Sequence, residues 1–344
     1  MHETYNFELL DNNYPSEIWE DAIATIPSAT IFHASDWLFF IEKYFKLKLK
    51  RVLIFKNGDI KGVFPFFEKK YGFFKIAGSP MFTRNNPYTG FAIKNQEDIE
   101  EILPAIEKFL KNQGIHFFRA QFDHFLFKEN FIKMGYTIKE FPSYRMDLSV
   151  GEEILWKGIG QKGRNLVRKA EKNNMQVTEV YDTSFIDTYY KMSKEVYARH
   201  DRLPFFEKSY YIDLCNLLYN DNLGRIYTVR SKEGITVAGA IILIYQDKAY
   251  YLSGVSFRKY QPLGINNFLQ WTIIKNLKSA DVKIYDMDTA GTLGLIKFKK
   301  SFGTVAHPTL YAEKPYSVAA RTTRLLYGKF LSLQTYLERY LVRK

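Results

Sequence analysis

Two stretches of this chain carry the same punctuation. RVLIFKNGDIKGVFPFFEKKYGFFKIAGSP (Arg51 to Pro80) and RIYTVRSKEGITVAGAIILIYQDKAYYLSGVS (Arg225 to Ser256) each read as three strands and two turns, with turn signals at Asn57-Gly58 and Glu233-Gly234. Gly62 matches Gly239, Gly78 matches Gly254, and a Pro and a Gly follow in both: Pro87 and Gly90, then Pro262 and Gly264. A helical pattern comes next (EDIEEILPAIEKFLKNQG; INNFLQWTIIKNLKSA), then an apolar strand (IHFFRAQFD; VKIYDMD), then FIKMGY facing FKKSFG, and finally FPSYRMDLS facing HPTLYAEKPYS. An ordered series of this kind is the mark of tandem duplication. Pro104 inside the first helical pattern is expected to kink or delay that helix.

Each repeat predicts an α/β unit of the α+β type: a helix, a three-stranded antiparallel meander, a crossover helix, a strand parallel to the meander's last strand, and a further strand. The sheet is mixed, mostly antiparallel, and flanked by helices. Its strand ends are expected to splay where the meander meets the crossover helix, and a ligand would bind there, at a helix N-terminus that favours anions. The expected division is a first unit at 1–150, a basic connecting helix and strand at 151–182, a second unit carrying the donor site at 183–317, and a basic amphipathic helix at 318–344. The 344 residues suit about two domains, and 46% hydrophobic content with 17% aromatics is enough for two cores.

Composition narrows the partners. Forty-nine cations against 37 anions give +12, which favours nucleic acid, a phosphorylated ligand or an anionic membrane, though solubility alone also accounts for such a charge. The one cysteine, Cys215, excludes an internal disulfide and fits a reducing compartment. No signal-peptide pattern opens the sequence, and the longest apolar run, Val237 to Tyr245, is far below the roughly 20 residues that span a bilayer. The expected location is the cytoplasm, with peripheral contact at the membrane face. There is no GxSxG elbow, P-loop or HExxH, and the six His have no ligand spacing, so no metal is expected.

The order of elements resembles the GNAT acyltransferase fold. In the second repeat Tyr250 to Ser256 would be the strand that carries the acyl donor, and Gln261 to Asn266 the phosphate loop. Gln261 and Gly264 match the family's Gln/Arg-x-x-Gly-x-Gly/Ala pattern around Ile265, while Asn266 departs from it with a side chain able to crowd a pyrophosphate. Two such units look like the FemABX family and its acetyltransferase relatives in polysaccharide clusters. The pieces that carry this likeness are SDWLFFIEKYF, KGRNLVRKAEKNNMQV, YYKMSKEVYARHDRLPFFEKSYY and GLIKFKKSFG, and together they span about residues 20–317. The third is similar to the family's segment that holds the acceptor-binding Arg, and the fourth to its terminal Phe-Lys-x-x-Phe-Gly.

The resemblance implies transfer of an acyl or aminoacyl group to an amine, or a hydroxyl, of a cell-envelope glycan or peptidoglycan precursor. The donor would be acyl-CoA or aminoacyl-tRNA. Such a reaction needs orientation and oxyanion stabilisation rather than a covalent nucleophile. On the same resemblance Lys299 would be a cation serving the donor or the oxyanion, Arg199 would bind a phosphorylated acceptor, and Lys43 would sit where the first unit keeps an acceptor lysine.

The remaining candidates rest on the residues themselves. Arg164 and Arg168, four apart on one helix face in a stretch with six cations and one Glu from Lys157 to Lys172, would grip phosphate or tRNA, or simply form a solvated face. Asp286 and Asp288 alternate on a strand, and either would act as a base or cap the strand end. Tyr210 and Tyr211 would pack near the site. For Phe298-Lys299-Lys300-Ser301-Phe302 a helix is expected, with the two rings paired at i,i+4 and Lys299 parted from Lys297. The tail repeats Leu326, Phe330, Leu333, Leu337 and Leu341 at helical spacing. It would lie on an anionic leaflet near a lipid-linked acceptor or dock on the second unit. Two other readings stand beside the acyltransferase: an aminoacyl-tRNA-dependent bridge ligase, and a non-catalytic basic module for RNA or membrane.

Overall fold

The computed structural model describes residues 5–10, 15–81, 85–124, 126–199 and 201–324. The amphipathic pattern from Leu326 onward lies outside the described residues, and with it the expectation of leaflet contact. The described residues divide into two compact units, the first within 5–141 together with 308–324 and the second within 142–307.

The first unit contains β1 (Asn6–Leu10), α1 (Ser16–Ala24), α2 (Ser35–Phe45), β2 (Lys48–Lys56), β3 (Asp59–Tyr71), β4 (Phe74–Ser79), β5 (Ala92–Ile93), α3 (Ile99–Asn112), β6 (Phe117–Phe122) and α4 (Lys128–Lys133). The β2–β3 hairpin closes on Asn57 and Gly58, both at positive φ, the backbone of a type I′ turn. The sheet runs β1-β2-β3-β4-β6, all antiparallel except the β4–β6 pair. Strand alternation turns Val52, Ile54, Phe64, Phe66, Ala77, Phe118 and Ala120 toward one core, which α3 closes with Ile102, Leu103, Ile106 and Leu110. The α3 helix begins at Ile99 and continues through Pro104, so the sequence expectation of a delay there does not hold. Apolar residues on both sides of the proline bury one face and keep the helix going.

The second unit takes in the end of β7 (Thr137–Asp147), then α5 (Glu152–Gly158), α6 (Gln161–Lys172), β8 (Gln176–Val180), α7 (Ile186–Ala198), α8 (Lys208–Asn220), β9 (Gly224–Arg230), β10 (Thr236–Tyr245), β11 (Lys248–Ser256), α9 (Ile265–Ser279), β12 (Ile284–Thr289) and α10 (Leu293–Lys300), and it leads into β13 (Val305–Pro315). Its sheet order is β7-β12-β11-β10-β9-β8, with β11–β12 the parallel pair. The meander, crossover helix and parallel strand therefore repeat the topology of the first unit.

The last strands break the expected boundaries. In the first unit β6 pairs with Leu310–Pro315 of β13, from the far end of the sequence. In the second, β12 pairs with Ser143–Asp147 of β7, which follows the first repeat in the chain. Each unit is thus completed by the terminal strand of the other repeat. The basic helix α6 is also more than a link. Gly163, Val167 and Ala170 are buried, the helix packs on α9, and Gly160 N–H donates to the Ser301 carbonyl at 2.9 Å.

Candidate active site

The site of the second unit begins where two strands part. β11 and β12 pair only at Lys248–Ile284, Ala249–Tyr285 and Tyr250–Asp286, although β11 continues to Ser256. Its register against β10 shifts between Ile241 and Ile242, a bulge at Leu252 that bends the strand. A cavity of about 290 Å³ lies along the unpaired stretch. Tyr251, Gly254, Val255 and Ser256 line it from β11, Asn266, Leu269 and Gln270 from α9, and Thr292, Leu295 and Phe298 from the α10 region.

The turn from β11 into α9 shapes the mouth of this cavity. Gly264 sits at φ 83° directly before the helix, a conformation that favours glycine. A Cβ there would lie 2.1 Å from the Leu166 carbonyl, so α6 needs the bare backbone to pack this closely. The helix runs from Ile265 to Ser279, as the sequence predicts. Gln261 and Asn266 line the cavity, while Ile265 is buried in the core. Gln261 Nε2 donates to Ser256 Oγ at 3.0 Å and fixes the turn.

Arg199, at the end of α7, also lines the cavity. Its guanidinium donates to Glu195 Oε1 at 2.6 Å and to the Ser256 carbonyl at 3.4 Å. Glu195 accepts in addition from Arg258 N–H at 2.8 Å, which ties α7 to the start of the loop. These bonds hold Glu195 below the usual carboxylate range, the amide of Arg258 first and the guanidinium second. Tyr211 is buried in an aromatic cluster with Tyr189, Phe206 and Tyr210 beneath α7.

Lys299 stands apart from the cavity lining. It is 5% exposed on α10, between exposed Lys297 and Lys300, and its ammonium donates to the carbonyls of Asp288, at 3.0 Å, and Thr289. Burial lowers its pKa, and the two aspartates oppose that shift. Phe298 and Phe302 meet at 5.2 Å, the expected i,i+4 pair, which leaves Phe298 on the cavity. Asp288 adopts φ 64°, and burial pushes its carboxyl up to about 6 against the pull of Lys299. Asp286 is buried, takes Arg145 Nε at 2.9 Å and accepts from Asp288 N–H at 2.7 Å. The network fixes the end of β12 and the start of α10.

Three other candidates have local partners or none at the cavity. Arg164 caps α5, donating to the carbonyls of Lys157, at 3.1 Å, and Ile159; Arg168 stacks over Trp156 at 5.5 Å. Lys43 is exposed in the last turn of α2, in the first unit. Cys215 is buried, and burial pushes its thiol up to about 12, the setting of an inert core residue. Among the described residues no group of three or more His, Cys, Asp or Glu is placed to hold a metal ion, and no helix is long and apolar enough to cross a membrane. The sequence reading passed over Tyr251, Gln270 and Glu195. It placed Tyr251 on the donor strand and Glu195 in the segment of Arg199, without singling either out.

Residues 161–299 match the family described as acetyltransferase (GNAT) domain. No curated protein matches the sequence. The fold is similar to the crystal structure of FemX, at 16% identity over 88% of this chain and 96% of that one, with a TM-score of 0.72. It is also similar to L-PGS from Bacillus licheniformis (14%, 92% and 97%, 0.55) and to a tandem GNAT protein from the clavulanic acid biosynthesis pathway (9%, 91% and 99%, 0.54). The parted strands and the glycine-led helix lie within this matched segment, which is that of a GNAT-type acyltransferase, and the fold around it is similar to those of FemX and of a tandem GNAT protein.

Proposed function

We propose that the protein transfers an acyl or aminoacyl group to an amine or hydroxyl of a cell-envelope glycan or peptidoglycan precursor. The observation that carries this reading is the cavity opened where β11 leaves β12, headed by the N-terminus of α9. An extended donor would lie along Ser256 to Tyr251 as the partner that strand lacks there, with Gln261, Gly264, Ile265 and Asn266 forming the turn at its phosphate end. Arg199, already held at the mouth, suits a phosphorylated acceptor, since a guanidinium recognises phosphate through paired hydrogen bonds. Lys299 and Asp288 hold the far wall. The likeness in fold to FemX, and to the C-terminal domain of a putative lysylphosphatidylglycerol synthetase from Agrobacterium fabrum, supports a cell-envelope acceptor. The reaction would take place in the cytoplasm, at or near the membrane face.

Coenzyme A thioesters and aminoacyl-tRNA both fit an extended donor. The second gains from α6, whose Lys162, Arg168, Lys169 and Lys172 are exposed. The test is label transfer from acyl-CoA thioesters and from charged tRNA to lipid-linked and nucleotide-linked envelope precursors. Transfer from tRNA that falls steeply with salt identifies the tRNA donor. Transfer from neither donor, with no donor bound, overturns the reading.

A further inference from the structure

The floor of the cavity carries a hydroxyl, that of Tyr251. Tyr251 is the first residue of β11 past the last pair with β12. Its ring lies along the strand over Gly254, where a Cβ would fall 1.7 Å from the tyrosine oxygen, so only glycine leaves the ring in place. Gln270, 2% exposed on α9, is its hydrogen-bonding neighbour. The Gln270 carbonyl already accepts from the Tyr285 hydroxyl at 2.9 Å. With its carbonyl engaged by Tyr285, Gln270 has its amide N–H to offer the Tyr251 oxygen, and Tyr251, which lines the cavity, then has its own proton to offer a ligand there.

We infer that the Tyr251 hydroxyl is a catalytic hydrogen-bond donor to the carbonyl oxygen of the acyl donor. This rests on the donor reading above. A donor entering at Gln261 and Asn266 and running along the unpaired edge of β11 reaches its deepest point where the strands close, at Tyr251. There the lone pair of the acceptor nitrogen or oxygen forms the new bond to the carbonyl carbon, and the π pair moves onto the oxygen that Tyr251 faces. Collapse of the tetrahedral intermediate returns that pair and breaks the bond to the thiolate or ribose oxygen, which leaves with its electrons; the acceptor's proton passes to the leaving group or to water. A neutral donor in a low-dielectric site stabilises the charge that develops on oxygen more than it stabilises the ground-state carbonyl. Burial agrees with this role, since it pushes the phenol up to about 12 and keeps it protonated.

The test uses the full chain with acetyl-CoA and with charged tRNA, each carrying a 13C carbonyl. Hydroxylamine serves as a small amine acceptor, and hydroxamate formation is read alongside the infrared carbonyl band of the bound donor. For Tyr251→Phe we expect kcat to fall about 10²–10³-fold with the donor KM within about twofold, and the bound carbonyl band to lose its shift to lower frequency. Gln270→Met, which leaves the hydroxyl but frees its orientation, should give a smaller loss of kcat. Bound donor whose carbonyl band is the same in wild type and Tyr251→Phe overturns the inference and leaves the donor site standing. No binding of either donor by wild type overturns the donor reading, and this inference with it.

Discussion

The two units share a topology and differ at one strand end. In the first, β4 stays paired with β6 through Ser79–Ala120, the last residue of the strand. The chain that follows folds back over the opening: Gly90 N–H bonds to the Gln121 carbonyl at 2.9 Å, Phe91 packs among Phe64, Phe122 and Phe127, and β5 pairs with β3. In the second, β11 loses its partner after Tyr250, and the chain enters α9 eight residues beyond the strand. One copy spends its connection on sealing the splay, and the other leaves the splay open with a helix N-terminus at its head. Two units of one topology can therefore each keep a core while a single connecting segment decides which of them has an open cavity.

The largest expected effect breaks the second unit's strand end. Lys299→Met leaves the buried carbonyls of Asp288 and Thr289 without their charged donor, so it should cost about 3 kcal/mol or more in stability, measured by denaturant titration, and lower turnover by loosening the wall of the cavity. If Lys299→Met and Lys300→Met have equal, mild effects, the lysine cluster is only a charged surface. A glycine pair then tests the comparison directly. Gly264→Ala places a Cβ against the Leu166 backbone at positive φ, and should cost about 2–4 kcal/mol in stability and weaken donor binding about tenfold or more. Gly90→Ala, whose Cβ would lie 2.4 Å from the Phe122 ring, should cost about 1–3 kcal/mol and leave donor binding unchanged. Loss of donor binding in Gly90→Ala would place the donor site in the wrong copy.

The pH prediction follows from Asp288. Its folded pKa, raised to about 6 from 3.8, means that between these values the folded protein holds a proton the unfolded chain has released. Stability should therefore fall as pH rises through about 4 to 6, by about 1–3 kcal/mol, and Asp288→Asn should remove that slope in denaturant titrations. The smallest effect belongs to Lys300→Met. The side chain is exposed, and the change should stay within about 0.5 kcal/mol in melting and about twofold in turnover.

Much of this architecture is legible in the residues, because turns and periodicity are local. Asn57-Gly58 sets its hairpin, Gly264 starts α9, and Phe298 with Phe302 turns FKKSF into a helix. What the sequence hides depends on distant partners. The pairing of β7 with β12 and β13 with β6 cannot be read from strand order, so the unit boundaries drawn at 150 and 183 differ from the compact units. Five cations made α6 look like a solvated link, yet Gly163, Val167 and Ala170 give it a buried face against α9. Arg164 and Lys299 drew notice as free charges, and both spend their donors on backbone carbonyls that no sequence pattern announces.

The crossed terminal strands have a consequence for how the chain is made. β6 emerges from the ribosome almost two hundred residues before Leu310–Pro315, the strand that covers its edge. The first unit cannot finish folding as it appears, and it must wait with a bare strand edge while almost two hundred further residues are made. Such an edge is a template for wrong pairing, and late non-local closure is slow. Production of this protein should therefore respond to chaperones and to synthesis rate more than its ordinary core would suggest. A cut at the apparent repeat boundary would separate each half from the strand that completes it.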